Sequence, residues 1–246
     1  MKICARHRLQ AGAGQQMPEV FMKLGIIAGT PVDTEMGSAY LEAHGCQTIA
    51  RACSPSPEEQ MRMQKLFPRE LTERVILLCC EMIREGAQGI YVNCNSMSAA
   101  IDLAALREAV EPVPVVTPLD VYEEVAGRFR CLSIIAANGQ SLAAIERIIA
   151  QHNPTCITFG AGLMQLVIAI EHRRKPEEIM SAIRLDALLS SFAASGSEAL
   201  ILGCTHFPYL AAQIRAVFDG AVIDPNFRML ELLQDKVAGL GEQAGL

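Results

Sequence analysis

Two cysteines stand where this chain could do chemistry. Cys94 closes the apolar run Gly89–Asn93 and is followed by Asn95 and Ser96. Cys204 closes Ala199–Gly203 and is followed by Thr205 and His206. A helical pattern follows each. Backbone N–H groups at a helix start carry partial positive charge, which favours a thiolate over the thiol, whose ordinary pKa is about 8.5. The small polar followers supply donors at the same point. Two thiols flanking one pocket from opposite sides suit one reaction above others. One removes a proton from a stereocentre as thiolate base, and the other delivers a proton to the opposite face as acid. The resulting carbanion then needs oriented dipoles and charge-assisted hydrogen bonds in a closed pocket. A single strand-end cysteine is more often a small buried hydrophobe than a catalyst, so the reading depends on the two belonging together.

An internal echo links them. "KLGIIAGT" is matched by "CLSIIAAN", with Ile26 against Ile134, an offset of 108, and "GIYVNCNS" by "ALILGCTH", with Cys94 against Cys204, an offset of 110. The near-equal offsets predict two similar units, each placing one cysteine at the carboxyl end of a strand, where open α/β sheets bind their ligands.

The elements that must position these residues alternate. Strands are predicted at 23–28, 48–52, 89–93, 113–117, 131–136, 155–159, 199–203 and 221–224. Helices are predicted at 35–44, 57–85, 98–110, 119–127, 141–151, 176–195, 209–218 and 228–239. The fold class is therefore α/β: two pseudo-symmetric lobes, each a parallel sheet flanked by helices, with the active site in the cleft between them. The domain reading is an irregular extension over 1–21, a first lobe of 22–118 plus 218–246, and a second lobe of 119–217. Met22 would be a cleaner start than Met1.

Composition narrows the partners. The chain has 246 residues, 51% of them hydrophobic and 20% charged, enough for a sizeable core. A net charge of -6, no basic patch and no Trp argue against nucleic acid. No run reaches the roughly 18–20 apolar residues of a membrane span, and the first residues lack the apolar core of a signal peptide. A cytoplasmic chain with reduced cysteines is expected. Cys53, Cys79, Cys80, Cys131 and Cys156 read as core, while Cys4 and Cys46 have no activating context. Metal-ligand spacing is missing apart from the two-residue step from Cys204 to His206, so no metal is expected.

The motifs "YVNCNSMSAA", "ILGCTHFPYL" and "IDP" resemble the Asp/Glu racemase family of aspartate, glutamate and hydantoin racemases, over nearly all of residues 22–235. The resemblance implies catalysis without a cofactor on an amino-acid substrate. It implies Cys94 and Cys204 as the acid/base pair, with His206 assisting its neighbour. Asn95, Ser96 and Thr205 would bind the substrate's carboxylate and ammonium, and the family pattern admits a homodimer. Departures fall around the cleft. Ser96 replaces the usual Thr, and Ala28-Gly29 stands where glutamate racemases carry Asp-Ser. Ala137-Asn138-Gly139-Gln140 stands where the family often has Thr-x-x-Thr. Thr30, Asp33, Thr117 and Asn138 are candidate substrate contacts, each with a turn or cap role as the simpler account. Asp224 could line the cleft or cap a helix. No Arg or Lys falls inside the cysteine motifs, although Arg51 and Arg62 lie in segments that could reach the cleft.

Three other readings stay open at this stage. They are a Cys–His amidase with Cys94 as nucleophile and His206 as base, an isomerase or decarboxylase of a small dicarboxylate, and a catalytically inactive ligand-binding homologue.

Overall fold

A computed structural model describes residues 22–244, so the segment 1–21, with Cys4, lies outside the described residues. The first lobe runs β1 (Lys23–Ala28), α1 (Pro31–Ala43), β2 (Gln47–Ala52), α2 (Pro57–Leu66), α3 (Pro68–Arg84), β3 (Gly89–Asn93), α4 (Asn95–Ala100), α5 (Leu103–Ala109) and β4 (Val115–Val116). Next come α6 (Pro118–Ala126), β5 (Cys131–Ala136), α7 (Gly139–His152), β6 (Ile157–Gly162), α8 (Met164–Glu171), α9 (Pro176–Ile183), α10 (Leu185–Ala194) and β7 (Ala199–Gly203). A 3₁₀ turn at Phe207–Leu210 leads to α11 (Ala211–Arg215), β8 (Ala221–Ile223) and α12 (Pro225–Ala244).

The two sheets have the same parallel topology, β2-β1-β3-β4 and β6-β5-β7-β8. Their central registers correspond: Leu24 pairs with Gly89 in one and Leu132 with Ala199 in the other. The echo in sequence is thus an echo in pairing. β8 pairs with β7, so 221–223 belongs to the second sheet, although the sequence groups 218–246 with the first lobe. Only α12, which packs on β3, β4 and α6, returns towards the first sheet.

Side-chain alternation along the strands divides the core. Leu24, Ile26, Tyr91, Leu132, Ile134 and Ile201 point into a shared core between the sheets, with Tyr122 and Leu233. Ile27, Ile90 and Val92 face a core on the outer side of the first sheet, which also holds Cys94. Ile135, Leu200 and Leu202 face its counterpart on the second, which holds Cys204. The cysteines expected in the core divide: Cys53 and Cys79 are buried, whereas Cys80, Cys131 and Cys156 are only half-buried, and Cys46 is buried.

Helix boundaries follow proline and cap chemistry. Thr30-Pro31, Ser56-Pro57 and Thr117-Pro118 repeat one device, an extended N-cap whose hydroxyl accepts a backbone N–H, followed by proline in the first turn. The same chemistry breaks long patterns. The predicted helix 57–85 is two helices, because Pro68 disfavours helical backbone at Phe67. The 98–110 pattern is cut before Asp102, which caps α5, and the 176–195 pattern at Arg184, which adopts a left-handed conformation. β6 lies at 157–162 rather than 155–159, as a partly exposed edge strand. α8 was not anticipated.

Gly37 marks the closest approach of α1 to the sheet. A Cβ there would lie 2.4 Å from Asn93 Nδ2 and 2.5 Å from Ile26 Cδ1, far inside van der Waals contact. Gly37→Ala is expected to lower stability by about 1–3 kcal/mol in urea unfolding. Gly239→Ala in α12, whose Cβ would meet nothing within 4 Å among the described residues, is expected to raise it by about 0.5–1 kcal/mol. Equal effects at the two positions would contradict this packing.

Candidate active site

The carboxyl ends of β1, β3 and β7 converge on one pocket of about 400 Å³, counting its open mouth. Cys94 and Cys204 both line it, each only 6% exposed. Thr30, Asp33, Asn95, Ser96, Thr205 and His206 line it too. Eight of the ten positions singled out in the sequence therefore share one cavity. Thr117 and Asn138 do not line it. The Thr117 side chain accepts Leu119 N–H in a capping box with Asp120, and Asn138 Oδ1 accepts Ser141 N–H at 2.9 Å. Both are helix N-caps. Asp224 is not among the lining residues either; its Oδ1 accepts Asn226 N–H at 3.0 Å.

Asp33 sits at the centre. It is 1% exposed. Asn93 Nδ2 donates to its backbone carbonyl at 3.2 Å and to its Oδ1 at 3.4 Å. Thr205 Oγ1 donates to its Oδ2 at 3.0 Å. Asn93 precedes Cys94 and Thr205 follows Cys204, so one carboxylate ties together the segments carrying the two cysteines. Burial pushes its carboxyl above the ordinary range, against the opposing pull of His206 and Thr205.

The surroundings of the two sulfurs differ. Cys94 Sγ lies 3.6 Å from Ser96 Oγ, and Gln64 Nε2 donates to Ser96 Oγ at 2.9 Å, leaving the hydroxyl hydrogen free for the sulfur. Burial, reinforced by the Asp33 carboxylate, pushes the Cys94 thiol well above its ordinary value, despite Ser96 and the Met97 N–H. The helix start alone thus does not make Cys94 a thiolate: desolvation of the charged form outweighs the local dipoles. Cys204 Sγ instead lies 3.6 Å from His206 Nδ1, and His206 Nε2 lies 2.8 Å from Glu171 Oε1. Thr30 Oγ1 donates to the same Glu171 oxygen. Burial disfavours charge on His206, but Asp33, Cys204 and Glu171 outweigh it and raise the imidazole well above its usual pKa. Burial works against ionised Glu171 as well, yet the bonds from His206 and Thr30 bring its carboxyl below the ordinary value. His206 thus lies beside Cys204, and the Cys94–His206 pairing needed by the amidase reading is not the one formed.

Glu171, Gln60 and Gln64 escape sequence reasoning. Glu171 ends α8, an apolar stretch read only as too short for a membrane; an acid closing such a run was the available signal. Gln60 and Gln64 lie on α2, four residues apart and on one face. Ser54 Oγ donates to Gln60 Oε1 at 2.6 Å, and Tyr122 OH to Asn95 Oδ1 at 2.6 Å. Gln60 Nε2 and Asn95 Nδ2, both buried, have no partner among the described residues. Both residues line the pocket, and unpaired buried donors are suited to a ligand's oxygen atoms. Among the described residues no cluster of three His, Cys, Asp or Glu could hold a metal, and no helix is long and apolar enough to cross a membrane.

Known proteins resemble this chain in sequence and in fold. A glutamate racemase of Deinococcus radiodurans is 29% identical over 155 residues, 61% of this chain and 51% of that protein. The chain spans about half to three-fifths of the length of the curated relatives it matches. The aspartate racemase of Picrophilus torridus superposes with a TM-score of 0.67 at 13% identity, covering 88% of this chain and 94% of that one. The allantoin racemase of Klebsiella pneumoniae superposes with a TM-score of 0.62 at 21% identity, covering 89% of each. These likenesses establish the two-lobed α/β fold. The family model described as Asp/Glu/Hydantoin racemase matches residues 34–229, and with most of its length inside that match the chain belongs to the Asp/Glu/hydantoin racemase family.

Proposed function

We propose that the protein is an amino-acid racemase that needs no cofactor and moves the α-proton between Cys94 and Cys204. The observation that carries this reading is the placement of both sulfurs on one buried pocket. The racemase names of its relatives support the same class. In one direction a Cys204 thiolate, facing the His206 imidazolium, takes the α-hydrogen and becomes a thiol. The Cys94 thiol, kept protonated by burial, gives its hydrogen to the opposite face and becomes a thiolate. The reverse direction exchanges the roles, and Ser96 then donates to the Cys94 thiolate. Each turnover moves one proton on and one proton off, so no oxidant or leaving group enters.

The α-hydrogen is far less acidic than a thiol, so the carbanion must be stabilised where charge develops. In this reading the Asn95 amide, unpartnered among the described residues and next to Cys94 in the chain, takes the substrate carboxylate. Asp33 is the one carboxylate lining the pocket among the described residues and suits the ammonium. Burial strengthens both contacts.

A second reading is favoured by one observation: Glu171, His206 and Cys204 have the connectivity of an orienting carboxylate, an imidazole and a nucleophile. It leaves Cys94 without a role.

In D2O the wild-type protein is expected to racemise its substrate with α-deuterium appearing in the product. Cys94→Ser and Cys204→Ser should each lower racemisation by about 10²–10⁴-fold, followed by polarimetry and mass spectrometry. Hydrolysis through a thioester on Cys204, with no α-exchange, would overturn the racemase reading in favour of the second.

The pH dependence is equally specific. Because the Cys94 thiol lies above its ordinary value, the direction that uses it as base should quicken as pH rises through the alkaline range. Ser96→Ala removes a donor to the thiolate. That limb should move to higher pH, with a loss of roughly tenfold at neutral pH, the worth of one charge-assisted hydrogen bond. Ser96→Thr, which keeps the hydroxyl, should restore it. An unmoved profile in Ser96→Ala would contradict the assignment.

A further inference from the structure

One wall of the pocket is held from behind by a phenol. Tyr122 lies on α6, is fully buried in the core between the sheets, and is not itself a lining residue. Its OH donates to Asn95 Oδ1 at 2.6 Å. Asn95 follows Cys94 in the chain, lines the pocket and is 2% exposed. α4 packs on α6, so the bond ties the helix that starts at Cys94 to the inter-sheet core.

Counting donors and acceptors fixes which way round the Asn95 carboxamide sits. As it stands, one buried atom of the pair, Asn95 Nδ2, lacks a partner among the described residues. With the amide turned over, Nδ2 would donate to the phenol oxygen. The phenol hydrogen, which has no other acceptor among the described residues, and Asn95 Oδ1 would then both be unpaired. Two unmade bonds in a buried site cost more than one. The carbonyl end of Asn95 is therefore committed to a residue outside the lining, and the N–H2 end is the one left over for a ligand.

Resting on the racemase reading, we infer that Tyr122 is a positioning residue for the reaction: it holds the Asn95 carbonyl towards the core, so that the residue next to Cys94 meets the substrate carboxylate only as a donor. An amide free to turn over would present its carbonyl oxygen to that carboxylate part of the time, and two acceptors repel. Tyr122 acts through Asn95.

Tyr91 supplies the comparison. It is equally buried in the same core, and its OH donates to Asn226 O at 3.1 Å and Asn226 Oδ1 at 3.0 Å. Neither Tyr91 nor Asn226 lines the pocket.

The test follows α-deuterium exchange on a panel of L- and D-amino acids, with urea unfolding of every variant. Tyr122→Phe and Tyr91→Phe are each expected to lower the unfolding midpoint. Only Tyr122→Phe should lower kcat/KM, by roughly tenfold and mostly through KM, the worth of one hydrogen bond to a charged group. In an Asn95→Ala background the same change should have no further effect on exchange. Asn95→Asp keeps an acceptor for the phenol but has no N–H2, and it should lose at least as much activity as Asn95→Ala; this variant tests the inference without disturbing Tyr122. Unchanged kcat/KM in Tyr122→Phe, an equal loss in Tyr91→Phe, an undiminished effect in the Asn95→Ala background, or near wild-type exchange in Asn95→Asp overturns the inference and leaves the racemase reading intact. Failure of the wild type to exchange any member of the panel overturns the racemase reading and this inference with it.

Discussion

One buried carboxylate holds the pocket together. Asp33 accepts hydrogen bonds from Asn93 and Thr205, residues adjacent in the chain to Cys94 and Cys204. Ionised groups are costly to bury unless paired and hydrogen-bonded, and here the partners come from two different sheets. The groups that partly oppose dehydration of Asp33 include His206 and Thr205 after β7, and Asn93 at the end of β3 also donates to it. The same contacts therefore define where the two sulfurs stand. Thr30 extends the link by capping α1 with its hydroxyl oxygen while donating its hydrogen to Glu171 at the end of α8.

Around this joint the backbone is nearly symmetric and the electrostatics are not. The two sheets share strand order and register, and each cysteine ends an equivalent strand. Yet Cys94 contacts a neutral hydroxyl, Ser96 backed by Gln64, and feels the Asp33 carboxylate, while Cys204 faces an imidazole held by Glu171. A doubled unit supplies two thiols on one pocket, and their neighbours have diverged. The proposed two-base reaction asks for such a difference in surroundings, since one group must start charged and the other neutral.

Much of this was legible in the sequence because strands buried on both faces are continuous apolar runs. The edges of β1, β3, β5 and β7 can be read directly, and with them the two cysteines that follow β3 and β7. Cap chemistry was harder to read. Thr30, Thr117 and Asn138 occupy the same kind of position, yet only Thr30 lines the pocket, since the choice depends on which strand ends converge. Residues delivered by helix faces were invisible. Gln60 and Gln64 sit in a helix that periodicity alone extends through Pro68, and Glu171 lies beyond an apolar stretch with no turn signal to mark it as helix. The pairing of β8 was hidden because three short residues fit either sheet edge and only tertiary contact decides.

The most direct test of the central claim is a crystal structure with an amino acid bound in the pocket. The account predicts the α-carbon between the two sulfurs, with Cys94 on one face and Cys204 on the other, and the carboxylate against Asn95. A ligand with both sulfurs on one face, or with either beyond reach of the α-carbon, would contradict it.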